Sequence, residues 1–286
     1  MCRVAGVTGI TDKNRKKIWE IIEELGVRMT PGNRDGLGYA AFDKKGNIFG
    51  EKWIYNYKAF QDRSNKIATI GANRVDRAYT FFGDLKINEA RGIILHTRAA
   101  TSGSISIKNT HPFIEPLEKP DFALIHNGGI SNHSQLIKKH STCDSEVILH
   151  EYIYSEVNKD LKKMNDVFNT LRGWYTCLIL AKDKDGQPIM DILTNTGMLH
   201  SVFIPELNCR IYTTNKYDLI DTCDFFDLKY EGLFKFKDNC YRRLNIDTNE
   251  IIEKGYLKKE EINYDDIDIN GDYTQNFYDH IMGKWE

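Results

Sequence analysis

Across its 286 residues the sequence has no run approaching the roughly 20 apolar residues needed to span a bilayer. Its N-terminus lacks a basic region followed by an apolar core and a small-residue cleavage site. Both absences argue against membrane and secretory classes and point to the cytoplasm. Cysteine is sparse and scattered: Cys2, Cys143, Cys177, Cys209, Cys223 and Cys240 form no CxxC pair, so neither a zinc site nor a disulfide framework is signalled. No Gly-rich phosphate loop or nucleotide motif appears in the C-terminal remainder, and no metal or organic cofactor is expected. An excess of one charge is missing too. Lys+Arg 39 against Asp+Glu 41 leaves a net charge of -2, which provides no whole-chain footprint for nucleic acid or an anionic membrane.

What is present reads as an α+β fold. RVAGV behind Cys2 predicts a short strand, and TDKNRKKIWEIIEELG a helix capped by Thr11 or Asp12 and ended by Gly26. GLGYAAFDKKGNIFGEKW predicts two strands about a Lys-Gly-Asn turn, and RGIILHT a buried strand. Residues 56–90 give mixed signals and are expected to be irregular with short helices. FALIHNGGISNHSQLIKKH reads as an apolar strand, a Gly turn and a short helix, and residues 144–173 as two helices with Val147, Ile148, Tyr152 and Val157 near one face. From Trp174 onward short strands separated by turn residues predict antiparallel sheets. Strands at both ends with helices between them predict sheet on sheet with helices outside. The polar, acidic stretch 246–286 reads as a C-terminal extension.

Four stretches carry more than their secondary structure requires. Cys2 becomes the first residue if Met1 is removed, which places a thiol beside a free α-amine whose reference pKa is about 7.7–8.0, a nucleophile and base on one residue; buried structural cysteine is the bland alternative. In residues 96–113 Arg98 sits where a strand gives way to a Thr/Ser/Gly-rich loop, placed for a carboxylate or a structural salt bridge, and Thr101 and Ser102 suit a ligand or a turn. Asn127-Gly128 is a turn signal that could equally supply two donors to an oxyanion. Asp144 precedes an apolar-periodic helix, as an N-cap or as an anion for a substrate ammonium.

Taken in order, a terminal Cys, N-R-D-G-L-G-Y-A, H-T-R-A-A-T-S-G with N-T-H-P, H-N-G-G-I-S-N and D-S-E-V-I resemble the class II glutamine amidotransferases across roughly residues 2–215. The resemblance implies a four-layer αββα sandwich of two antiparallel sheets flanked by helices, the N-terminal nucleophile hydrolase fold, with residues 1–245 forming the glutaminase domain. It implies that Cys2 attacks the glutamine amide, that Asn127 and Gly128 hold the oxyanion, and that Arg98 and Asp144 bind the α-carboxylate and α-amino group with help from Thr101. L-Glutamine is then the substrate, glutamate and ammonia the products, and a separate synthase the ammonia acceptor. A γ-glutamyl amide substrate or a non-catalytic binding role is the alternative. One departure stands out: Ala99 and Ser102 occupy positions where the amino-sugar members carry tryptophan and histidine, so their bulky gate is expected to be absent or supplied elsewhere.

Overall fold

The computed structural model describes residues 2–33, 35–54 and 90–258. The mixed stretch 56–90, apart from Ala90, and the tail from residue 259 lie outside the described residues. In chain order the elements are β1 (Arg3–Thr8), α1 (Arg15–Met29), β2 (Gly36–Phe42), β3 (Ile48–Trp53), β4 (Gly92–Arg98), β5 (Phe113–Glu115) and β6 (Phe122–Ile130). There follow α2 (Glu146–Tyr154), α3 (Met164–Thr170), β7 (Gly173–Lys182), β8 (Pro188–Thr194), β9 (His200–Ile204) and β10 (Cys209–Thr213). Last come α4 (Lys216–Phe225), β11 (Glu231–Lys235), β12 (Cys240–Asn245) and β13 (Ile251–Tyr256).

The strands form two antiparallel sheets, one ordered β11-β9-β10-β1-β4-β2-β3 and the other β13-β12-β8-β7-β6-β5. Side chains alternate between a strand's faces, and here both faces are buried. In β4, Ile94 enters the core between the sheets, whereas Ile93 and Leu95 join Ile18, Ile21, Ile22 and Leu25 of α1. In β7, Leu178 and Leu180 face the first sheet, and Cys177 and Ile179 pack with Val147, Ile148 and Tyr152 under α2. Helix, sheet, sheet, helix is therefore the layer order, and double-sided burial explains why RGIILHT and TCLILA read as unbroken apolar runs rather than alternating ones.

Several local expectations change. The start of α1 is organised by Asn14, whose side chain accepts from the Thr11 amide and donates to the Gly9 and Leu207 carbonyls, while Asp12 pairs with Arg15 and Lys44. The helix continues through buried Gly26 to Met29 and gives way at the Pro31-Gly32 turn. Asn127-Gly128 is not a hairpin turn: β6 runs on to Ile130, paired with β7 as far as Gly173. Asp144 is not the helix cap either, since Ser145 occupies that position ahead of α2. Ile246 is buried between the sheets and β13 pairs with β12, so residues 246–258 lie within the layered unit. Among the described residues no helix is long and apolar enough to cross a membrane.

Candidate active site

β1 runs through the centre of its sheet, between β10 and β4, which carries Cys2 to the end of the inter-sheet seam. The Cys2 thiol donates to the Ala99 carbonyl at 3.3 Å. Ala99 directly follows Arg98, the last residue of β4, so the strand pairing Arg3↔Thr97 is what brings thiol and arginine together. Asp35 fixes this corner from β2's side: its amide donates to the Arg98 carbonyl at 3.0 Å and its carboxylate accepts from the Ala100 amide at 2.7 Å.

Arg98 is 2% exposed. Its guanidinium donates to the carbonyls of Ser104 (3.1 Å) and Ser102 (2.8 Å), and among the described residues it meets no carboxylate within ion-pair distance. The cation thus gathers the 102–104 loop around itself instead of forming a salt bridge. Thr101 lies exposed on that loop, and Gly103 adopts φ +72°, a left-handed conformation that favours glycine.

On the second sheet Asn127 is buried at the seam, its Oδ1 without a partner among the described residues. Gly128 has φ +155°, and a Cβ there would lie 2.0 Å from the Trp174 carbonyl and 2.5 Å from His126 Nε2. No side chain fits where β7 approaches this closely. Asp144 is 5% exposed, and its Oδ2 accepts from the Ile130 amide at 2.7 Å, which anchors the carboxylate against the end of β6.

A cavity of about 310 Å³ is lined by Cys2, Arg3, Asn33, Asn127, Met198, Thr214 and Asn215 among others, within the size range of small-molecule sites. Cys2 and Asn127 face the same space. Arg98 and Asp144 are not among its lining residues, but both act on Cys2 electrostatically. Burial pushes the thiol up from its ordinary value, Arg98 draws it down, and Asp144 pushes it up. The four expected positions Cys2, Arg98, Asn127-Gly128 and Asp144 therefore converge, while Thr101 stands apart on the surface.

Sequence reasoning passed over the layer beneath. His96 and His111, from the H-T-R and N-T-H-P parts of one motif block, and His126, from the next, are all buried. His96 and His111 stack with ring centroids 4.0 Å apart, and His111 and His126 are 6.3 Å apart. His96 Nε2 hydrogen-bonds the His126 carbonyl at 3.0 Å, and His126 Nδ1 bonds Ser145 Oγ at 2.8 Å, which ties β4, the Asn127 strand and the Asp144 segment to one another. Burial holds all three imidazoles neutral, with Arg98 adding to it at His96 and His111 and Asp144 opposing it at His126: His96 is pushed down to about 3, His126 to about 4, and His111 well below its usual value. The histidine recurring in H-T-R, N-T-H-P and H-N-G-G was the available signal.

The chain matches the family model of class II glutamine amidotransferases over residues 29–182, more than half its length. Amidophosphoribosyltransferase 3 of Arabidopsis thaliana is 32% identical over 113 residues, covering 36% of this chain and 21% of that protein. The 7-cyano-7-deazaguanine synthase of Sulfolobus acidocaldarius is 23% identical over 219 residues, covering 75% of this chain and 43% of that protein. The glutamine phosphoribosylpyrophosphate amidotransferase of B. subtilis superposes with a TM-score of 0.61 at 18% identity, covering 91% of this chain and 50% of that one. The chain thus spans half or less of these relatives' length. The expected sandwich of two antiparallel sheets flanked by helices is the fold shared with the N-terminal nucleophile hydrolase amidotransferases.

Proposed function

As a member of the class II glutamine amidotransferases, to which the chain belongs by that match, this protein, we propose, hydrolyses the glutamine side-chain amide to glutamate and ammonia through Cys2. The observation that carries the reading is the shared space of Cys2 and Asn127, with Arg98 and Asp144 close enough to bias the thiol.

Removal of Met1 leaves Cys2 with a free α-amine. Burial keeps the thiol protonated, so the amine must take the proton as sulfur attacks the amide carbon. Negative charge developing on the amide oxygen is met by the Asn127 side-chain amide and the Gly128 N–H. The carbon–nitrogen bond then breaks, the amine returns the proton to the departing nitrogen, and ammonia leaves a γ-glutamyl thioester. Water attacks that thioester with the amine again as base, and glutamate departs as the thiol re-forms.

Arg98 and Asp144 supply one cation and one anion to a zwitterionic head group, with the carboxylate drawing loop 99–104 inward and Thr101 joining it. Ammonia is proposed to pass to a separate biosynthetic enzyme. Relatives named as a phosphoribosyltransferase and a deazaguanine synthase differ in acceptor, so the acceptor is assigned by class alone. Residues 1–245 are proposed as the glutaminase domain, with residues 246–258 completing its second sheet through β13.

The test is glutamate release from glutamine by Met-processed protein, in the presence of an acceptor enzyme if one co-purifies. Steady release is expected. Absence of turnover with glutamine, alongside turnover of γ-glutamyl amides, would transfer the nucleophile to a different substrate class.

A further inference from the structure

A second cluster of ligating side chains, none of them lining the cavity, flanks the Asp144 segment in sequence. Glu115 ends β5, His140 lies in the loop before α2, and Glu146 and His150 sit four residues apart on one face of α2. They form two close pairs: His140 Nε2 is 2.9 Å from Glu115 Oε1, and His150 Nε2 is hydrogen-bonded to Glu146 Oε1 at 3.3 Å. Ligand atoms of Glu115, Glu146 and His150 all lie within 4.8 Å of one another.

We propose that Glu115, His140, Glu146 and His150 bind a divalent transition-metal ion of the zinc class. Two imidazoles and two carboxylates suit such an ion better than the all-oxygen sets that calcium and magnesium prefer. Bonds of about 2.0–2.2 Å place neighbouring ligand atoms roughly 3.4 Å apart in a tetrahedral site. The ligand atoms of Glu115, Glu146 and His150, within 4.8 Å of one another, and the 2.9 Å separation of His140 from Glu115 bracket that value, and His140, exposed on its loop, swings in to complete the set. Each pair is a nitrogen and an oxygen facing each other; an ion entering between the pairs takes a lone pair from each of these atoms and displaces any proton they share.

The cluster is also held in place from behind. Side chains of Glu115, Glu146 and His150 are 17%, 3% and 11% exposed, whereas His140 at 49% is the member open to solvent and gives an ion its way in. Glu146 accepts from the amides of Lys139, His140 and Ser141 and from the Ser141 hydroxyl. Its anionic form is therefore preorganised, as second contacts do for metal ligands. An ion here would bolt β5 to the loop that precedes Asp144 and to the helix that follows it, whatever reaction Cys2 performs.

The experiment uses the full chain, stripped with chelator, and Co²⁺ as the probe, followed by equilibrium dialysis and visible absorption. One Co²⁺ per chain is expected, with d–d bands of a nitrogen/oxygen site, no thiolate charge transfer, a raised Tm, and displacement by Zn²⁺. His140→Gln, at the exposed position, and His150→Gln should each weaken binding by at least tenfold. Binding that survives both substitutions, a thiolate band, or no stoichiometric binding to folded wild-type protein overturns the proposal.

Discussion

Lowering the pH from 7.5 to 5.5 should destabilise this protein steeply, because three neutral imidazoles are sealed beneath the site. A histidine whose folded pKa lies below its unfolded value favours the native state fully above the unfolded pKa, about 6.5, and loses that advantage as pH falls, since the unfolded chain takes the proton first. With His96 near 3, His126 near 4 and His111 well below its ordinary value, none protonates in the native state at pH 5.5. Each then costs about 1.4 kcal/mol over the interval, or roughly 4 kcal/mol for the three. Asp218, which burial pushes up to about 6 against the pull of Arg3, takes a proton in the native state and offsets part of this. The remaining loss, about 3 kcal/mol, is a large share of a typical domain's 5–15. Urea unfolding at the two pH values reads it directly, and His111→Phe, which keeps an aromatic ring and removes the titrating nitrogens, should shrink the difference by about half. Equal stability at both pH values, to within about 1 kcal/mol, would refute the argument.

Gly128→Ala puts a Cβ 2.0 Å from the Trp174 carbonyl, so glutamate release should fall by at least the 100- to 1000-fold typical of a lost oxyanion donor, with Tm lowered as well. Arg98→Lys and Asp144→Asn should raise KM for glutamine more than they lower kcat; a change confined to kcat would remove both from head-group binding. Elsewhere, Arg243 donates twice to Asp191, which is 0% exposed and also accepts from the Tyr152 hydroxyl. Arg243→Met strands that carboxylate and should cost about 3–5 kcal/mol by denaturant titration, whereas replacing Arg243, Asp191 and Tyr152 together with apolar residues should cost less.

Much of this architecture was legible because the apolar runs are long and the turn residues sharp. Asp43 and Gly46 close the β2–β3 hairpin where the Lys-Gly-Asn signal placed it, and Gly46 has φ +78°. What failed were positions where tertiary contacts override local preference. Asn127-Gly128 has the composition of a turn, yet β7 continues alongside and holds it extended. Gly26 has the composition of a helix stop, yet it is buried inside α1. α4 went unread because its inward residues, Leu219, Thr222 and Cys223, are few and mixed in polarity; its signal was Asn215, whose side chain caps the Tyr217 amide three residues before Asp218. At the site, the motif blocks named the residues that converge, but not Asp35 or the stacked histidines, whose roles come from strands that meet only after folding.

The central claim, that Cys2 is the working N-terminal nucleophile, is tested most directly by intact-mass analysis with peptide mapping after exposure to a glutamine analogue bearing an electrophile at the γ position. The expected result is a chain lacking Met1, modified once, at Cys2, with excess glutamine protecting and Cys2→Ala abolishing both label and turnover. Glutamine turnover by a chain that retains Met1, or labelling that falls on Cys143 and spares Cys2, would contradict it.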